Sequence, residues 1–149
     1  MPAVAAALLC LVIGITDGGT LTVRCDAANG AQNLKVRLAE IDAPEAKQPW
    51  GQRSRRGLAD MCFGRRAEVH ASGTDRNGRL VARVVCDGVD ANAEQVSSGL
   101  AWVYDRYVVD RTLYDNQQQA RDAQLGLWQD PAPTPPWLWR RDRKQAQPH

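Results

Sequence analysis

The chain has no Cys-x-x-Cys pair, and its two histidines, His70 and His149, lie far from any metal-ligand spacing. Their arrangement argues against a structural or catalytic zinc. A long apolar run is also missing. The stretch MPAVAAALLCLVIGI is too short to count as a membrane span, and no membrane insertion is expected. It lacks a basic n-region and runs without a cleavage site into the first predicted strand, so residues 1–9 read as an eroded or truncated export leader, or as an alternative start. Charge of one sign is missing too. The formal net charge is only +2, which gives no strong global basic field. No internal repeat is visible, and prolines cluster only after Asp130. The 149 residues therefore read as one domain over 10–130 with a Pro/Trp/Arg-rich tail over 131–149. Lysine is scarce, since 16 of the 19 basic residues are arginine. Arginine suits bidentate phosphate contact, although arginine-favouring codon usage gives the same bias.

Four cysteines are present: Cys10, Cys25, Cys62 and Cys86. Cys10 and Cys25 flank the Gly-rich turn at 17–20 almost symmetrically, so a hairpin there brings them together and leaves Cys62 with Cys86. The alternative is four buried reduced thiols. Two disulfides would accord with a secreted or periplasmic protein.

Periodicity gives the element order. Residues 10–16 and 20–25 read as strands about that turn. Residues 34–41 alternate, with Leu34, Val36 and Leu38 on one face and Lys35 and Arg37 on the other. Leu58, Met61 and Cys62 mark a helix that begins at Gln52 and stops before Gly64. Residues 65–71 and 79–86 read as strands around the turn Asp75-Arg76-Asn77-Gly78. Asp90 caps a short helix that runs through Ser98 and stops at Gly99. Residues 100–104 are strand-like, and a longer helix runs from Thr112 to Leu125. The proline-rich tail should be extended. The fold class is α+β, mainly β: a five-stranded OB-type barrel with three helices.

Two short stretches carry chemistry. In VRLAEIDAPE, Arg37, Asp42 and Glu45 stand in the pattern R-x-x-x-x-D-x-P-E. In TDRNGR, Arg79 closes a D-R-x-G-R pattern. Two arginines can neutralise a phosphate that gains charge in a transition state. One carboxylate can hold a hard cation, and another can deprotonate a water. Taken singly, Arg37 could be a solvated strand residue, and Asp42 and Glu45 could simply cap turns. The combined pattern is far more specific.

These motifs, with AEQV at 93–96, GLAWVY at 99–104 and GLW at 126–128, resemble the thermonuclease (staphylococcal-nuclease-like) domain, a Ca²⁺-dependent nuclease on an OB-type barrel. The resemblance covers residues 10–130. It implies that Arg37 and Arg79 stabilise the transferring phosphate and that Glu45 acts on the attacking water. It also implies that Asp42 and the backbone carbonyl of Ala43 bind Ca²⁺, with Asp17 as an acid set behind them. The family pattern at the first turn is Asp-Gly-Asp-Thr, whereas this chain reads Asp17-Gly18-Gly19-Thr20. The missing carboxylate predicts a weakened Ca²⁺ site and a rate loss of ~10²–10⁴.

Tyr107 lies near a base- or sugar-contacting position of the family, with Tyr104 as a nearby substitute, though both could be ordinary half-buried aromatics. Arg76 is a candidate phosphate contact. His70 reads as a structural strand residue, and Trp137 and Trp139 as packing for the tail. The expected activity is phosphodiester hydrolysis of DNA or RNA by a monomer, leaving a 3′-phosphate as the resemblance implies. The alternative is a catalytically inactive member that binds nucleic acid or protein.

Overall fold

The computed structural model describes residues 7–146. Its elements run β1 (Leu8–Asp17), β2 (Thr20–Cys25), β3 (Gln32–Leu38), β4 (Ile41–Asp42), α1 (Gly51–Cys62), β5 (Arg66–Thr74), β6 (Leu80–Cys86), β7 (Val89–Asp90), α2 (Ala91–Ser97), β8 (Trp102–Val103), α3 (Thr112–Asp122), a 3-10 turn (Gly126–Gln129) and α4 (Pro136–Ala146). Strand β1 pairs antiparallel with β2 and β5, β2 with β3, and β5 with β6. Parallel pairing of Val36, Arg37 and Leu38 with Leu80, Val81 and Ala82 closes the five-stranded barrel. This is the OB-type order expected from the sequence.

Alternation explains which face of each strand is inside. Leu21 and Val23 of β2, Val36 and Leu38 of β3, Val69 of β5, and Ala82 and Val84 of β6 are buried in one core. Burying each of the larger side chains is worth about 1.5–3 kcal/mol. Helix α1 presents Gly51, Ser54, Leu58 and Cys62 along a single face and lays that stripe on the barrel. Both predicted disulfides form. Cys10–Cys25 joins partners in the β1–β2 register, and Cys62–Cys86 ties the end of α1 to the end of β6. Asp90 caps α2 through the amide of Ala93, as its position suggested.

Several boundaries differ from expectation. Strand β1 begins at Leu8, where Leu8 and Leu9 pair with Val69 and Glu68. Most of the segment read as a leader, residues 1–6, lies outside the described residues. Only Trp102 and Val103 of the strand-like 100–104 segment pair, against Ile41 and Asp42. Helix α3 ends at Asp122, short of Leu125, and Gly126 opens a 3-10 turn.

The main correction concerns the tail, which was expected to be extended but carries a fourth α-helix. Proline was read there as excluding helix, yet Pro131, Pro133 and Pro135 all precede α4 and Pro136 is its first residue. At that position a missing N–H costs nothing and the fixed φ favours the turn. The tryptophans pack the tail on the domain as expected. Trp137 lies against Trp102 and Tyr104, and Trp139 sits beside Pro44, Trp50 and Pro133. No helix among the described residues is long and apolar enough to cross a membrane.

Candidate active site

One cleft of about 880 Å³ lies between the β1–β2 turn, the β3–β4 segment, the β5–β6 turn and the 104–109 loop. The lining includes Arg37, Glu45, Arg79, Asp42, Ala43, Asp17, Arg76, Tyr104 and Tyr107, so all nine candidates from the sequence meet there. Distant stretches converge because β3 and β6 are parallel neighbours. That pairing sets Arg37 opposite Val81, beside the turn that carries Arg79.

Arg37 is one-quarter exposed, and its Nη2 lies 3.4 Å from Oδ1 of Asp42, whose side chain is buried. Burial pushes the Asp42 carboxyl above its ordinary value, while guanidinium contacts pull it down. Arg79 is held from behind. Its Nε donates to Oδ2 of Asp75 at 2.7 Å, and its backbone amide donates to Oδ1 at 2.9 Å. This Asx-type turn fixes the base of the Arg79 side chain and leaves its Nη donors for a ligand. Desolvation raises the Asp75 carboxyl, but the backbone and side-chain hydrogen bonds from Arg79 and the amide of Asn77 hold it below its ordinary value. The backbone amide of Glu45 donates to Gln48 Oε1 at 3.1 Å, which shapes the loop after Pro44.

At the first turn Asp17 uses its Oδ1 to accept from the amide of Gly19 at 2.8 Å. That oxygen therefore stabilises the turn at the cleft edge. Tyr107 is 56% exposed and packs edge-on to Tyr104. Tyr104 is half-buried, with Arg37 5.8 Å from its ring centroid on one side and Trp137 stacked on it. Arg76 is exposed in the β5–β6 turn. His70, read as structural, lines the cleft wall and stays about half exposed, 3.7 Å from Glu68.

Sequence reasoning missed three residues. Glu40, in a left-handed conformation (φ 71°), accepts from the amides of Val109 and Asp110 and from Arg83. Arg83 also reaches Asp90 and Asp110. Together they lash the 104–110 loop to the barrel and so position both tyrosines. The third is Arg140 of α4. Its Nη2 donates to Asp42 Oδ2 at 2.6 Å, and its Nη1 donates to Asp42 Oδ1 at 3.3 Å and Glu45 Oε1 at 2.8 Å. Nothing local in WLWRRDRK marks one arginine of that run as different, so no sequence signal would have found it.

Residues 35–130 match the family model described as staphylococcal nuclease homologue. The chain belongs to the staphylococcal nuclease homologue family. An uncharacterized endonuclease of Haemophilus influenzae is 39% identical over 91% of this chain and 74% of its own length. A micrococcal nuclease of Shigella flexneri is 38% identical over 91% of this chain and 82% of its own. An uncharacterized endonuclease of Escherichia coli O157:H7 is 37% identical over 87% and 82% respectively.

For a member of the staphylococcal nuclease homologue family the donors for a cation are sparse. Among the described residues no three His, Cys, Asp or Glu side chains form a metal-sized cluster. Gly19 brings no carboxylate, Asp17 is turned to its own loop, and Arg140 holds both oxygens of Asp42 and one of Glu45. A hard divalent ion needs six to eight oxygens and gains affinity from ligand charge. In this arrangement the residues do not fit one.

Proposed function

We propose that this chain is a nuclease that hydrolyses phosphodiester bonds of DNA or RNA in the cleft, with a Ca²⁺ site weakened by Gly19. The nuclease class rests on family membership and on relatives that carry nuclease names. The convergence of Arg37, Arg79 and Glu45 on one cleft carries the catalytic assignment. Arg37 and Arg79 hold the phosphoryl oxygens as negative charge grows on them, which is worth most in a site shielded from water. Glu45 takes a proton from a water that attacks in line with the departing oxygen. Asp75 keeps Arg79 in position, and Arg76 and Tyr107 offer contacts to the flanking nucleotides. Only with Arg140 displaced from Asp42 could Asp42 and the Ala43 carbonyl hold Ca²⁺, which would then add charge at the phosphoryl oxygen, and no step above depends on it. The two crosslinks suit a secreted or periplasmic monomer.

A second reading, binding of nucleic acid or protein without catalysis, is favoured by Gly19 and by the Arg140 contacts to Asp42 and Glu45. Kinetics on Glu45→Gln and Arg79→Ala decide between the two. Each should lower kcat by roughly 10²-fold or more, with a smaller change in KM and unchanged circular dichroism. Unchanged kcat in either variant would remove that residue from the mechanism. A parent with no activity at any Ca²⁺ concentration would favour the binding-only reading.

A further inference from the structure

Helix α4 places a ligand-like group on each of two parts of the cleft. Its Arg140 guanidinium lies between Asp42 and Glu45, in the position a cation between these carboxylates would take, and three of its hydrogen bonds go to their oxygens. Three residues earlier, Trp137 stacks on the Tyr104 ring with centroids 5.4 Å apart and planes 10° apart. A spacing of three puts both side chains on one face of the helix. An indole lying flat on a tyrosine covers the surface that a nucleobase would use.

Much of the attachment of α4 is at the site. The main core cluster contains no residue of α4. Ahead of the helix, Gln48 donates its Nε2 to the carbonyl of Thr134 while its Oε1 accepts from the amide of Glu45, so one side chain couples the tail to the Glu45 loop. Beyond Arg140, residues 141–145 are exposed. The helix is thus held by ion pairs and aromatic contacts at the mouth of the cleft, together with Trp139, which packs away from the cleft beside Pro44, Trp50 and Pro133. The cleft contacts involve groups that a cation and a nucleic acid would need.

We propose that α4 is an intramolecular competitor: docked, it occupies the carboxylate pair with Arg140 and covers Tyr104 with Trp137, and it must swing away before a divalent cation and a nucleic-acid strand can bind. This rests on the nuclease reading for the identity of the two ligands. The exclusion itself follows from geometry, because the positively charged guanidinium fills the space between the two carboxylates and repels a second cation there. A ligand that binds only the undocked form sees its affinity reduced by the fraction undocked. If α4 is docked nine-tenths of the time or more, releasing it raises the apparent affinity about tenfold or more.

The test is calorimetry with Ca²⁺ alone on the full-length parent, Arg140→Gln and Trp137→Ala. Arg140→Gln should bind Ca²⁺ about tenfold tighter or better. Trp137→Ala leaves every carboxylate and Arg140 in place and removes the helix's contacts to Tyr104 and Trp102, so it should shift affinity in the same direction by a smaller factor. It keeps the test open should Arg140→Gln fold poorly. Equal or weaker Ca²⁺ binding in a folded variant overturns the proposal. Nuclease assays on the same proteins answer a separate question. Tighter Ca²⁺ binding with no cleavage supports the competitor and overturns the catalytic reading, whereas cleavage with unchanged Ca²⁺ affinity does the reverse.

Discussion

Gly18 and Gly19 sit side by side in one turn under opposite constraints. A Cβ on Gly18 would lie 1.8 Å from Ser54 Oγ and 3.0 Å from the Ser54 backbone carbon, so only glycine lets α1 approach the turn. The Gly18 carbonyl is also held, accepting from buried Gln95 Nε2 at 2.8 Å. Gly19 has no such need. Its φ is not positive, and a Cβ there would meet Ala43 Cβ at 3.5 Å and Asp17 Oδ1 at 3.7 Å, which are ordinary contacts. Gly19→Asp should therefore fold without strain and add a carboxylate beside Ala43. The added negative charge near Asp17 and Asp42 has a consequence of its own. Without metal the variant should melt below the parent, and with Ca²⁺ above it. Its Ca²⁺ affinity should rise about tenfold or more, since affinity tracks ligand charge, and calorimetry checks this directly. An unchanged affinity would show that the missing carboxylate at position 19 is not what limits the site.

Among the elements, those that follow a simple period were legible. The alternation in LKVRLAEI gave β3 and the side of it on which Arg37 lies, and the Asp90 and Gly99 signals bounded α2. The charged centre of the candidate site was legible for a related reason, because Arg37, Asp42, Glu45, Arg76 and Arg79 sit in two contiguous motifs that the β3–β6 pairing brings together. What escaped the sequence depends on contacts between distant elements. Helix α4 was masked by prolines that all fall before or at its first turn, and the Arg140 contacts join residues 98 and 95 positions apart. Glu40 and Arg83 were missed because a polar residue between strands or on the outer face of one looks solvated until the 104–110 loop folds over it. The β5–β6 turn adds a pH test. The Asp75 carboxyl is held below its ordinary value in the folded chain. Its contribution is therefore present above the unfolded value of about 4 and is lost as pH falls through the folded value. Asp75→Asn should melt below the parent at pH 7, and the gap should close as pH falls below about 4. Thermal melts across that range measure it, and a gap independent of pH would show that the ionised carboxylate is not what holds the Arg79 turn.

At the scale of the whole molecule, the barrel depends on contacts far apart in sequence, and the two disulfides shorten that search. Cys10–Cys25 closes a separation of 15 residues and Cys62–Cys86 one of 24. Loops of this size are each worth roughly 3 kcal/mol in the chain-entropy account. The two bridges are not independent in the folded state. Across the sheet Cys25 pairs with Cys10, Cys10 with Ala67, and Ala67 with Cys86, so the first bridge and the strand end of the second share one transverse row with only buried Ala67 between them. Strands stand ~4.8 Å apart, which puts Cys10 and Cys86 about 10 Å from each other, near the limit of coupling between neighbours. Replacing either pair by serine should lower stability by roughly 3 kcal/mol, or about 6–12 °C in Tm for a chain of this size. Replacing both should depart from the sum by ~0.5 kcal/mol or more, because each bridge helps hold the strand that the other needs. Denaturant unfolding of the parent, the two double-serine variants and the quadruple variant measures this. A sum that closes within ~0.3 kcal/mol would mean that the row does not transmit strain and that each bridge acts only on its own loop in the unfolded chain.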